Sequence, residues 1–212
     1  MYSNFEKLAD DKKKRILTIC IEEFADTGYE KTSTDTITAR AGISKGILYH
    51  YFKNKKNLFI YVVDYCRKLI GDNIMAELQH VESEDFFNRV KEVVLIKKRV
   101  QFHYLKETEL VTQTLLNPPQ GMEEEIRSML QKNIDVYSDQ YLEKLIDRSL
   151  LKENATPDKV INLTMTILDQ IAQKNLKAYQ EKAMSFSEIL EKIEPELDEY
   201  IDIIKYGALK RV

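Results

Sequence analysis

Between positions 45 and 55 the sequence KGILYHYFKNK sets three lysines, two tyrosines, a histidine and an isoleucine around two buried-type residues, Leu48 and Phe52. Leu48 and Phe52 recur at helical spacing, so with Ile43 they form an inward face and leave Lys45, Gly46, Ile47, Tyr49, His50 and Tyr51 largely outside. Ammonium groups and phenol hydroxyls on one short helix suit phosphate oxygens, and Lys45, Ile47 and His50 are side chains able to meet base edges. An exposed β-branched Ile47 fits a thymine methyl group; partial burial against a neighbouring helix is the competing reading.

The elements that would hold this helix are written beside it. Ile37 and Ala41 lie four apart, and Gly42 after them can adopt the left-handed conformation that ends a helix. Ser44 then stands where an N-cap belongs. Upstream, a helix over about 11–27 carries Ile16, Leu17, Cys20, Ile21 and Phe24 as an apolar stripe, closed by Gly28. Thr32 or Ser33 caps the next helix at Thr34, whose hydroxyl and amide are placed to meet a phosphate. Two consecutive helices joined by so short a turn predict a helix-turn-helix.

Charge agrees. From 36 to 63 there is no Asp or Glu, in a chain with 35 of them, while Arg40, Lys45, Lys53, Lys55 and Lys56 are basic. Residues 1–58 hold eleven Lys or Arg against eight Asp or Glu, a net of +3, which leaves −6 for the remainder of a chain at −3. A polyanion would meet the N-terminal part and be repelled by the rest.

From Arg15 to Phe59 the chain resembles the N-terminal domain of the TetR family of bacterial transcriptional regulators, in FADTGYEKTS, TITARAGISKG and LYHYFKNKKNLF. Phe24, Gly28, Tyr29, Thr32, Ile37, Ala41, Gly42, Ser44, Gly46, Tyr49, Phe52, Lys55 and Leu58 stand at family signature positions. The resemblance implies that residues 45–51 form a recognition helix in the major groove. Thr34, Ser44, Lys45, Gly46, Ile47, Tyr49, His50, Tyr51 and Lys55 are then the DNA-binding set, with Tyr49, Tyr51 and Lys55 on phosphates. Many relatives carry histidine where this chain has Tyr51; here the histidine is His50, and its role stays open.

The whole chain is expected to be all-α, with about nine helices. A DNA-binding domain over 1–56 would join, through a long helix from about Lys55 to His80, a regulatory and dimerisation domain over 57–212. Ser83, followed by Glu84 and Asp85, starts one helix, Asn117-Pro118-Pro119-Gln120-Gly121 forces a turn, and a long pattern runs from Met122 to Leu150. Thr156-Pro157 opens a further helix, and Ser185 with Glu188 forms a capping box for the last. By the resemblance, helices near 157–181 and 186–208 pair with a second copy. Their stripes give Val160, Thr164, Ile167, Ile171, Ile189, Ile193, Leu197, Tyr200, Ile201 and Ile204 as the homodimer interface, or else as the subunit's own core. Pro195 is expected to kink or divide the last helix.

The family's small-molecule effector would bind among residues 84–181. Phe102, His103, Tyr104, Met129, Tyr137, Tyr141 and Met165 could line an apolar pocket with a few polar groups, and each fits ordinary core as well.

The chain therefore reads as a cytoplasmic repressor, binding a palindromic operator as a homodimer and released by a small molecule. A protein-controlled or architectural DNA-binding protein is the alternative. Enzyme chemistry has little to stand on: three histidines, a single Glu77-x-x-His80 step, and no phosphate loop or nucleophile elbow. No metal, cofactor or membrane partner is expected. Met1 to Arg15 reads as a polar arm without the apolar core of an export signal. Cys20 and Cys66 read as small hydrophobes.

Overall fold

The computed structural model describes residues 2–83, 85–131, 146–180 and 186–208, and every described regular element is helical. They pack as two compact units, 1–72 with 104–133 and 73–103 with 134–212.

The first unit begins with a single helical turn, α1 (Ser3–Glu6), where a polar arm was expected. Tyr2, Phe5 and Leu8 recur every three residues, and Phe5 is fully buried. The long α2 (Asp10–Lys31) follows, with Ile16, Cys20 and Phe24 in the core. Gly28 interrupts α2 at φ 72° and ψ 166°, as its expected closing role requires; the chain then makes a last turn to Lys31. Helices α3 (Thr34–Ala41) and α4 (Lys45–Phe52) come next, and α5 (Lys55–Leu78) starts on an Asn54 cap whose Oδ1 accepts from the Asn57 amide at 2.8 Å. Leu58, Phe59, Val62, Val63 and Cys66 of α5 join Phe24, Leu48 and Phe52 in one core, with Leu110 of α7 (Leu105–Leu116) and Ile126 of α8 (Glu123–Gln131). The Asn117–Gly121 turn falls between α7 and α8, with Gly121 at φ 76°. Both cysteines are free and buried, and burial pushes the Cys20 thiol up to about 12. That is the behaviour of a small hydrophobe.

The second unit is built on α6 (Phe86–His103), α9 (Pro157–Gln180) and α10 (Phe186–Ala208). Asp85 caps α6, its carboxylate accepting from the Asn88 amide at 2.9 Å. Phe86, Val90 and Val94 pack against Ile161, Leu168, Ile189, Ile193 and Leu197. One cation lies inside this packing: Lys98, 4% exposed, donates to Gln173 at 2.9 Å and pairs with Asp169 at 2.9 Å.

Several expectations about these helices change. The helix after residue 85 ends at His103, and Tyr104, at φ −109° and ψ 58°, separates it from the next. The Met122–Leu150 pattern is helical to Gln131, and Arg148–Leu150 forms one 3-10 turn; 132–145 lie outside the described residues, as does Ser185 of the expected capping box. Pro195 does not divide α10, which continues through it as one helix. Among the described residues no helix is long and apolar enough to cross a membrane.

Candidate nucleic-acid interface

The turn between α3 and α4 is three residues long, and each is chosen for it. Ser33 caps α3 by accepting from the Asp35 amide at 3.2 Å. At the other end Gly42 takes φ 63° and ψ 37°; its amide donates to Ala39 O at 3.3 Å and the Ile43 amide to Thr38 O at 3.1 Å, which closes the helix. Ser44 caps α4 through the Ile47 amide at 3.2 Å. A Cβ added to Gly42 would meet only Arg15 Nη2, at 3.8 Å, so backbone conformation and not space selects glycine. Gly42→Ala is accordingly expected to cost about 1 kcal/mol, read as a lower denaturant midpoint with an unchanged slope.

Leu48 and Phe52, each 1% exposed, fix α4 on Ile37 and Ala41 of α3 and the rest of the core. Lys45, Gly46, Ile47 and His50 are exposed, whereas Tyr49 and Tyr51 are half-buried and not outside as expected. The cause is local. Tyr49 Oη lies 3.2 Å from the Thr34 hydroxyl, and Thr34 itself is buried at the first position of α3. The Tyr51 ring stands edge-on to Phe5 of α1 at 5.6 Å. Both phenols are thus held in place by neighbours, with little side-chain freedom left to lose on meeting a phosphate.

The cations of this region are not equivalent. Arg40 is held by Glu22 and Glu23 at 2.5 and 2.7 Å, and Lys56 by Glu125 at 3.0 Å. Lys45 pairs with Asp35 at 2.8 Å, and that hydrogen bond raises its pKa. Among the described residues Lys53 and Lys55 have no ion pair. Lys55 is positioned without being neutralised: Nζ donates to Glu30 O at 3.1 Å and lies 4.6 Å from the centre of the Tyr29 ring. Lys53 ends α4 with φ 69°, the one described non-glycine residue in that region. Its exposed side chain thus leaves the end of α4 from a backbone that glycine would adopt more readily. Sequence reasoning counted Lys53 as basic but did not place it in the site, because a lysine gives no signal of a left-handed backbone.

The Lys45–Asp35 pair has a measurable consequence. Both partners are exposed, so the pair adds little to stability, yet Lys45 must leave Asp35 before it can meet a polyanion. Asp35→Asn is expected to tighten binding to DNA of any sequence by a few-fold at low salt and to steepen the salt dependence by about one ion. Fluorescence anisotropy at several salt concentrations reads both.

The other expected site residues are dispersed. Phe102 and Met165 pack on the core of the second unit, His103 is exposed at the end of α6, and Tyr104 is the residue before α7. Met129 belongs to the first unit, where it lines a cavity of about 950 Å3 with Tyr2, Tyr61, Asp64 and Arg67. Tyr137 and Tyr141 lie outside the described residues. Of the residues expected at a dimer interface, Val160, Thr164, Ile171, Ile189, Ile193, Leu197, Ile201 and Ile204 are buried in the core of their own unit, Ile167 is half-buried and Tyr200 is 39% exposed. The outward faces of α9 and α10 present Leu163, Tyr200, Ile203 and Tyr206 instead, at 51%, 39%, 65% and 81% exposed. Glu77 of the Glu-x-x-His step pairs with Arg99, and among the described residues no three His, Cys, Asp or Glu gather as metal ligands.

Two eight-residue helices, a three-residue turn and an outer surface with Ile47, His50, Lys53 and Lys55 define a helix-turn-helix of the nucleic-acid-binding kind. Residues 16–62 match the family described as bacterial regulatory proteins, tetR family. The uncharacterized HTH-type transcriptional regulator YhgD of Bacillus subtilis (strain 168) is 41% identical over 49 residues, 23% of this chain and 26% of that one. The HTH-type transcriptional regulator RutR of Escherichia coli (strain K12) is 30% identical over 126 residues, 58% of this chain and 57% of that one. A TetR family transcriptional regulator from Chloroflexus aurantiacus superposes with a TM-score of 0.68 at 22% identity, covering 99% of this chain and 98% of that one. Residues 16–62 are thus similar to the tetR family, and the helical fold of the described residues is like that of the Chloroflexus aurantiacus regulator. The matches span from about a quarter to just over half the length of these curated relatives.

Proposed function

We propose that the chain is a transcriptional repressor of the TetR type, which binds a palindromic operator as a homodimer and leaves it when a small molecule binds. The observation that carries the reading is the surface of α4 and the start of α5. Among the described residues Lys53 and Lys55 are without ion pairs there, Tyr49 and Tyr51 are braced, and Ile47 and His50 are exposed beside them. Lysines and phenols would hold phosphates, and Lys45, Ile47 and His50 would choose bases. In this reading residues 1–56 bind DNA and 57–212 regulate and dimerise, in the cytoplasm.

Two copies would join through the exposed faces of α9 and α10. Leu163, Ile167, Tyr200 and Ile203 border an apolar groove of about 510 Å3, and a two-fold pairing of that surface would present two α4 helices to one palindrome. A small-molecule effector acts in this scheme by favouring the arrangement of the dimer that fits the half-sites less well. Titrating fractionated small metabolites into a complex of the full chain with its selected duplex tests the scheme. Release by a small molecule supports it. Release only by a protein partner overturns the inducer, and chemical turnover of a metabolite overturns the regulator.

A further inference from the structure

The N-terminal turn α1 touches α4 at the residue whose role the sequence left open. Phe5 is fully buried, with its ring 4.8 Å from Phe52 and 5.5 Å from Tyr61; Tyr2 stands 4.8 Å from Tyr61 and 5.6 Å from Phe52. Glu6 accepts a hydrogen bond from the Tyr61 hydroxyl and pairs with Lys13 at 3.5 Å. Asn4 is therefore anchored on both sides, and its Nδ2 lies 3.2 Å from His50 Nε2.

An amide nitrogen of asparagine only donates, so Nε2 of His50 must accept, and the proton of the neutral ring is then on Nδ1. In water a free imidazole favours the opposite form, with the proton on Nε2. We propose that Asn4 is a positioning residue for His50: it selects the Nδ1–H tautomer and orients the ring, so that the recognition helix meets DNA with a donor at Nδ1 while Nε2 is occupied. A donor there matches purine N7, guanine O6, thymine O4 or a phosphate oxygen, and is opposed by the amino groups of cytosine and adenine. The proposal rests on the DNA-binding reading above for its function, but not for its chemistry. It also gives the N-terminal segment, a polar arm by sequence, a part in sequence choice.

Long-range 1H–15N spectra of the full-length protein with labelled histidine, at a pH where the rings are neutral, read the tautomer directly; His50→Gln identifies the His50 signal. Wild type is expected to show Nδ1–H. Asn4→Asp should invert it, because a carboxylate only accepts, and Asn4→Ala should move it toward Nε2–H. On duplexes selected by wild type, Asn4→Ala is expected to weaken binding about 3- to 10-fold, the range one net hydrogen bond represents. That loss should vanish when Asn4→Ala is made on a His50→Gln background, which a merely structural role of Asn4 would not produce. An Nε2–H signal in wild type, or a tautomer unchanged by Asn4→Asp, overturns the pairing. A shifted tautomer with unchanged or additive affinities overturns its role in DNA binding. Should wild type enrich no duplex at all, the DNA-binding reading itself fails, and the spectra still decide whether Asn4 pairs with His50.

Discussion

Lys55→Ala is expected to weaken binding to duplex DNA of every sequence by about tenfold at moderate salt and to reduce the slope of log affinity against log salt by about one. Lys55 is half-buried at the first position of α5, held by the Glu30 carbonyl and the Tyr29 ring, and among the described residues no carboxylate neutralises it. A cation so placed would release one counterion per phosphate met, whatever the sequence. Lys56 and Arg40 have carboxylate partners in the free protein, so removing either should matter less. Ile47→Ala is the contrast. Ile47 is 38% exposed and bears no charge, so its loss should leave the salt slope alone and change which base pairs are preferred, by about 1 kcal/mol at the step it meets. Equal slopes for wild type and Lys55→Ala would remove Lys55 from the phosphate set, and an unchanged preference for Ile47→Ala would return that side chain to packing.

Ile203→Glu is expected to have the largest effect of any single exposed substitution. Ile203 is 65% exposed on α10 and flanked by Tyr200 and Tyr206, with Leu163 on the neighbouring α9. An isolated chain should tolerate a carboxylate there with a stability change within about 0.5 kcal/mol. Across a two-fold seam, however, each copy would bring the carboxylate to the same apolar surface, and two desolvated charges would oppose association. The expected result is a folded monomer in sedimentation equilibrium and, with only one recognition helix engaged at a time, on the order of 100-fold weaker binding to a palindrome. Val160→Glu, at a site 3% exposed in the chain's own core, should instead unfold the protein. A dimer that survives Ile203→Glu would place the seam elsewhere.

The helix-turn-helix was legible because its signals are local. Gly42 needs a left-handed backbone, Ser44 and Ser33 cap helices within three residues of themselves, and Leu48 and Phe52 share a face by spacing alone. What sequence reasoning missed depends on partners distant along the chain. Tyr51 looked exposed because Phe5, forty-six positions earlier, is what covers it, although the Tyr2-Phe5-Leu8 spacing was a usable signal. Arg40, Lys45 and Lys56 looked alike until Glu22, Asp35 and Glu125 were found beside them.

The apolar stripe of Val160, Ile171, Ile189, Ile193 and Leu197 is buried, but a periodic stripe cannot say which of two buried surfaces it faces, and it faces its own unit. The thinner row of Leu163, Ile203 and Tyr206 carries the outward face. Pro195 interrupts a pattern on paper; in α10 the helix runs on through it. The break at Tyr104 has no glycine or proline to announce it.

On the proposed function, α4 reads DNA sequence. Enrichment of a random duplex library by the full-length protein, carried out beside the Lys45→Ala, Ile47→Ala and His50→Gln variants, tests it most directly. The predicted result is an inverted repeat with half-sites about one helical turn apart, whose preferred bases change with each variant while its spacing does not. No enriched sequence, or a motif indifferent to all three substitutions, would contradict it.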